Sequence, residues 1–226
     1  MMSTSIVIMI IVLLFSVVFH EVAHGWIAYM LGDKTAYKMG RLTLNPIPHI
    51  DPMMTILMPL MLGFMTNWQV MFGGAKPVPV NPYNFKNPKK GMAITAAAGP
   101  ASNLLLIIVT ILLFKILGIL GFIDKYEVVA RFNYDDLNFL DTFFIYSVMI
   151  NSVLMVFNLL PIPPLDGSKI LMGFLTDDQA YKYESMSRYG MYILIGILLL
   201  GSILNFSIIG AIIYPFINFF IRLLLG

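Results

Sequence analysis

Apolar positions run in long unbroken blocks along this chain, separated by short polar breaks rich in proline and glycine. Ser5 to about Leu31 is the first block, long enough to cross a bilayer as a helix. Residues 32 to 52 are polar and turn-rich. The block at 53–65, MMTILMPLMLGFM, is short for a crossing and contains Pro59; that length suits a re-entrant or tilted segment. A proline-rich loop, GGAKPVPVNPYNFKNPKK, fills 73–90. Gly91 to about Gly121 and Phe139 to Leu160 are further spanning blocks, the latter stopped by PIPP. Residues 122–138 are polar, and 177–188 read as an interfacial helix with Tyr181, Tyr183 and Tyr189 at headgroup level. Residues 189–225 suffice for two helices broken near GSILNFS. The pattern predicts an all-α integral membrane protein, a polytopic helical bundle of about five to six membrane segments.

Composition agrees. The 226 residues are 59% hydrophobic and 12% charged, with mean hydropathy +0.85; a soluble domain would carry about 25% charge. One unit, 1–226, is expected, without an internal repeat. No basic cluster suggests nucleic acid. The absence of cysteine excludes disulfides, thiolate ligands and a cysteine nucleophile. No Lys or Arg precedes the first apolar run, so it reads as a retained helix rather than a signal peptide.

Charge adds an orientation. Lys34, Lys38, Arg41, Lys76, Lys86, Lys89 and Lys90 fall within 32–90, whereas 122–138 holds only Lys125 and Arg131. The positive-inside tendency then puts the N-terminus outside and 32–90 on the cytosolic side of the cell membrane. This requires 53–65 to enter and leave by one face. Asp135 and Asp136, in the loop NYDDL, read as solvated.

Chemistry concentrates at the end of the first block, in FHEVAHGW. His20 and His24 are four residues apart, so on a helix they share one face and can grip one ion. Glu21 is placed to take a proton from water that the ion activates. This H-E-x-x-H arrangement is that of zinc peptidases, two ligands and a general base. The alternative is a merely polar helix end. Ionisable residues beside an apolar span cost about 2.5–3.5 kcal/mol on insertion scales, which favours a functional explanation.

A catalytic zinc needs a further protein ligand. Residues 27–30 are IAYM, so none follows at short spacing. Asp166, in NLLPIPPLDGS, comes after an apolar block and a proline break. Its competing role is an N-cap on a short helix beginning near Gly167. The other candidates are His49 and Asp51, in the proline-rich LNPIPHIDP; His49 is a ligand, a supporting group or a surface residue. The residues alone leave this choice open.

HEVAHG near the N-terminus, AAAGPASN at 96–103 and NLLPIPPLDG downstream occur in an order that resembles the site-2 protease family of intramembrane zinc metalloproteases. The motifs span residues 20–167. The resemblance implies one Zn2+ per chain held by His20, His24 and Asp166, with Glu21 as catalytic base, and so favours Asp166 over His49. It implies cleavage within or near transmembrane helices, in regulated intramembrane proteolysis or clearance of membrane peptide remnants. Partners would be single-span membrane proteins or membrane peptides and the lipid bilayer. The active site is expected toward the cytosolic face. The sequence looks like the family's minimal form, without PDZ or CBS modules.

Two asparagines and one loop gain meaning from the same likeness. Asn158 and Asn103 become handles for substrate backbone or oxyanion; otherwise they are interhelical hydrogen bonders. Val78 and Val80 alternate with Pro77 and Pro79. A re-entrant β-hairpin there would hold an unwound substrate segment along its edge; the alternative is a plain linker. Motifs of intramembrane serine and aspartyl proteases, G-x-S-G and G-x-G-D, do not occur. The rival class is a transporter or channel using His20, Glu21, His24 and Asp166 as an ion site.

Overall fold

The computed structural model describes residues 2–65, 74–133, 137–204 and 207–226. Asp135 and Asp136 lie outside them. Among the described residues the chain is helical and contains no β-strand. The order is α1 (Met2–Met30), α2 (Thr35–Lys38), a π-helical turn at Pro52–Leu57 running into α3 (Met58–Met65), α4 (Pro88–Ile119), α5 (Lys125–Asn133), α6 (Phe139–Asn158), α7 (Asp166–Phe174), α8 (Asp177–Ile203) and α9 (Ile208–Leu225). Helices α1, α4, α6 and α9 are long and apolar enough to cross a membrane. The polar segment 177–188 is not a separate interfacial helix. It continues without a break into the apolar half of α8, because nothing between Arg188 and Gly190 stops the helix.

Local chemistry sets the boundaries. Asn87 caps α4 by accepting from the Lys90 N–H, with Pro88 at the first helical position. Asn138 caps α6 through the Asp141 N–H. Thr176 and Gln179 form a reciprocal capping box at the start of α8. Ser207 restarts the chain as α9.

The centre is a triangle of α1, α4 and α6, each packed on the other two; α7 packs on α4 and α9 on α6. Ile107, Phe144, Ile145 and Val148 are fully buried between them. Lipid tails are as apolar as leucine, so close packing and interhelical hydrogen bonds hold such helices together. The small residues of AAAGPAS on α4 permit that approach, and Ala96, Gly99 and Ser102 are buried there.

The short apolar block returns to where it started. The Gly74 N–H donates to the Met54 carbonyl at 3.0 Å, and the Thr55 hydroxyl donates to the Gly74 carbonyl at 2.7 Å. Gly74 is thereby held beside the start of the π-helical turn.

From Gly74 the chain passes the C-terminal part of α1, and Asp33 fixes it there. The buried Asp33 carboxylate accepts from the Asn81 N–H at 2.7 Å, the Asn84 amide at 2.6 Å, and the hydroxyl and N–H of Thr35. Burial alone would raise this carboxyl, but the hydrogen bonds from Thr35, Asn84 and Asn81 outweigh it and hold it below its usual value. A carboxyl lowered on folding stabilises fully above its unfolded pKa, about 3.9, and loses that contribution as pH falls through the lower folded value. The anchor should thus be intact at neutral pH and fail only below about pH 4. Asp33→Ala leaves buried donors unpaired, worth about 1–3 kcal/mol. Hydrogen exchange of the Asn81 amide should accelerate roughly 10–100-fold at pH 7. Unchanged exchange would show that Asp33 does not anchor the loop.

Candidate metal centre and active site

His20 and His24 sit one above the other on α1, with ring centroids 4.7 Å apart and planes at 88°. Both are buried, and each ring is held from behind. The Nδ1 of His20 bonds Asn103 Oδ1 on α4 at 2.6 Å. Asn103 in turn donates to Asn151 on α6 at 2.9 Å, and Asn151 donates to Ser16, one turn before His20 on α1. The Nδ1 of His24 bonds the backbone carbonyl of Thr95 at 2.7 Å. Acceptors at Nδ1 fix the proton there and leave each Nε2 with a lone pair.

Those two Nε2 atoms converge on one carboxylate oxygen. Asp166 Oδ2 lies 3.1 Å from His20 Nε2 and 3.1 Å from His24 Nε2. The N-cap role for Asp166 does not occur: α7 begins at Asp166 itself, Leu165 occupies the cap position, and no side chain caps it. Gly167 brings the carboxylate here through a close approach. A Cβ at this position would lie 2.2 Å from the Leu159 carbonyl oxygen, so only glycine lets α7 fold back onto the end of α6.

The donor set fits a divalent ion. With both Nδ1 positions taken by acceptors, the two Nε2 atoms and a carboxylate oxygen converge on one point, where a divalent cation can take the place of the protons that otherwise bridge them. Tetrahedral zinc bound at about 2.0–2.1 Å separates its donors by about 3.3 Å, close to the two 3.1 Å separations found here. Glu21 completes the group, its oxygen and the two histidine nitrogens lying within 4.8 Å of one another. Its Oε2 accepts the Val78 N–H at 2.9 Å, which fixes the carboxylate without protonating it.

A cavity of about 290 Å³ opens onto this cluster. Its wall includes His20, Glu21, His24 and Asp166, with Pro77, Val78 and Val80 from the loop, Thr95 from α4, Asn158 from α6 and Lys169 from α7. Asn158 donates its amide to the Leu154 carbonyl of its own helix at 2.9 Å.

The placement differs from expectation at several residues. The stretch carrying Val78 and Val80 takes no regular secondary structure, so the expected β-hairpin ladder is not formed among the described residues. Pro77 and Pro79 lack N–H groups, and the Val78 N–H is engaged by Glu21. Asn103 is fully buried behind His20 and does not reach the cavity wall; its two polar atoms are engaged by His20 and Asn151. His49 is buried elsewhere, bonded through Nε2 to the Thr43 carbonyl at 3.0 Å, and Asp51 caps the π-helical turn at Pro52. Sequence reasoning missed the Thr95 carbonyl, the Val78 N–H and Lys169. For the lysine a signal existed, since it stands one helical turn after Asp166.

A family model described as Peptidase family M50 matches residues 8–201. The chain belongs to peptidase family M50. This bears out the site-2 protease resemblance over most of the chain. Two curated relatives carry the name "Putative zinc metalloprotease". YwhC of Bacillus subtilis (strain 168) is 40% identical over 185 residues, 82% of this chain and 77% of its own length. Rip2 of Mycolicibacterium smegmatis (strain ATCC 700084 / mc(2)155) is 28% identical over 192 residues, 85% of this chain and 66% of its own. No solved structure matches significantly.

Proposed function

We propose that this M50 chain is a zinc endopeptidase that cleaves membrane-protein substrates within or near their transmembrane helices. The observation that carries the reading is the meeting of His20 Nε2, His24 Nε2 and Asp166 Oδ2 beside Glu21 on the wall of a polar cavity. His20, His24 and Asp166 would hold one zinc per chain. Zinc at such a site supplies Lewis acidity, polarising a carbonyl and bringing the pKa of water to about 7.

The protein's own groups do the rest. Glu21 accepts the proton of the attacking water and returns it to the leaving amine. The Val78 N–H keeps one oxygen of Glu21 fixed, and the other is the one that would take the proton. Asn103 and the Thr95 carbonyl orient the two imidazoles and set their tautomers. Asn158 offers an acceptor to substrate backbone. Beside Glu21, the Val78 carbonyl and the backbone of Val80 have no partner among the described residues. An unwound substrate segment can pair with these free backbone groups without a preformed hairpin. A helical substrate must first lose its own backbone bonds, so single-span proteins or membrane peptides with weak helices are the class expected. The lysine and arginine distribution favours the cell membrane with the N-terminus outside and the site toward the cytosol.

The rival reading is ion transport through the same cluster. The test is to purify the protein in detergent, measure metal content, and incubate it with a panel of single-span substrates. The expected result is about one zinc per chain and discrete peptide products, with Asp166→Ala sharply depleted in zinc. Metal-ion flux in liposomes with no product across the panel would replace the peptidase reading with the transporter.

A further inference from the structure

Lys169 has no part in the chemistry above, yet it lines the same cavity. It follows Asp166 by three residues on α7, on the same helix face and about 4.5 Å further along the axis. It is half-buried, and among the described residues no carboxylate lies within ion-pair distance of it. The two acids on the cavity wall are engaged, Asp166 by the histidines and Glu21 by the Val78 N–H. Two carboxylates and two neutral imidazoles balance one divalent ion, which leaves the Lys169 ammonium as the uncompensated charge of the loaded cavity. An ammonium with no carboxylate partner in the wall is available to pair with one that enters. A lysine stem of this length, in a wall that also holds apolar Leu165 and Met92, can carry its charge to whatever enters.

Building on the peptidase reading, we propose that Lys169 is a specificity-determining residue. Its ammonium pairs with a carboxylate on the peptide segment that occupies the cavity. The carboxylate comes either from an Asp or Glu side chain near the cleaved bond or from a free C-terminus. Within an apolar span such a group is rare and costly, and a cation waiting in the cavity offsets that cost. The site thereby selects the few membrane segments that carry an acid near the scissile bond, or those already cut.

The test compares peptides of one sequence in two pairs, Asp against Asn beside the cleavage point and free against amidated C-terminus. Binding is read by fluorescence anisotropy on zinc-loaded Glu21→Gln protein, and kcat/KM on protein with Glu21 intact. The protein should favour the carboxylate member of one pair by at least about tenfold, the range of a charge-assisted hydrogen bond; the pair that responds identifies the source. Lys169→Gln should bring that ratio near one, Lys169→Arg should keep it, and Lys169→Glu should turn preference toward a Lys-bearing peptide. Zinc content should stay the same in all three. Absence of carboxylate preference with Lys169 present, or its survival in Lys169→Gln, overturns the proposal. Zinc loss in Lys169→Gln also overturns it, by making Lys169 a support for α7. A binding preference that depends on Lys169, with no cleavage of any peptide, would sustain this assignment and count against the peptidase reading.

Discussion

Glu21→Gln should retain its zinc, its fold and its affinity for peptide while cleaving at least about 10²–10⁴-fold more slowly. The amide is nearly the size of the carboxylate, and its oxygen can still accept the Val78 N–H that holds Glu21 in place. The loop at 74–81 therefore keeps its position, and the only capacity removed is that of accepting a proton. His20, His24 and Asp166 are untouched, and their mutual distances do not depend on Glu21. The measurement is product formation at matched zinc occupancy, using a substrate helix with a helix-destabilising residue in its span. Equal cleavage by the two proteins would remove Glu21 from the chemistry. Loss of zinc in the variant would instead make Glu21 a ligand, a role its closeness to both histidine nitrogens also permits. The intact-zinc, inactive result separates base from ligand.

What the sequence disclosed of this site follows from what a sequence encodes directly. The i, i+4 histidines required only that α1 be a helix, and an uninterrupted apolar run ensured that. Asp166 was a harder case, because its carboxylate could equally have capped α7. The decision came from Gly167, whose missing side chain lets α7 fold back on the Leu159 carbonyl and carries Asp166 to the histidines. Backbone groups were invisible, as any residue type supplies them. The Thr95 carbonyl that fixes His24 and the Val78 N–H that fixes Glu21 carry no signature in their side chains. Alternating prolines and valines at 77–80 suggested a re-entrant β-hairpin, and no ladder forms there among the described residues. A β-pair needs a partner strand, and here the partner of the Val78 N–H is a carboxylate. Asn103 was recognised as polar in an apolar helix and therefore as partnered. Its partner is a histidine nitrogen, which places it behind His20 rather than at the cavity wall.

The continuity of α8 shows the same limit from another side. A change from polar to apolar composition at residue 189 marks where an environment changes, not where a helix ends. No proline or cap separates the two halves, and the helix runs through to Ile203. By contrast, the break before α9 was legible because Ser207 is a capping residue. Breaks written in side-chain chemistry can be read; continuity across a change of solvent cannot.

Gly99→Ala should empty the metal centre without unfolding the bundle. Alanine is the better helix former by about 1 kcal/mol, so α4 itself gains from the change. The cost lies across the interface. A Cβ on residue 99 would stand 2.5 Å from His20 Cε1, from His20 Nε2 and from His24 Cε1, all far inside van der Waals contact. Neither ring can retreat freely, since Asn103 bonds His20 from behind and the Thr95 carbonyl bonds His24. The methyl must therefore tilt the rings or push α1 away from α4, and either motion separates the nitrogens from Asp166 Oδ2. Disturbing the groups that orient metal ligands costs about 10–100-fold in affinity, and a direct clash with two ligands should reach at least the upper part of that range. Zinc content after dialysis against a buffered free-zinc series measures it, with thermal unfolding in detergent as the check on fold. Gly196→Ala is the matched control, because a Cβ there meets nothing within 4 Å; its zinc titration should overlay the unsubstituted protein. Full zinc occupancy in Gly99→Ala at the lowest free zinc would mean that α1 and α4 have room to separate, and that Gly99 serves helix packing alone.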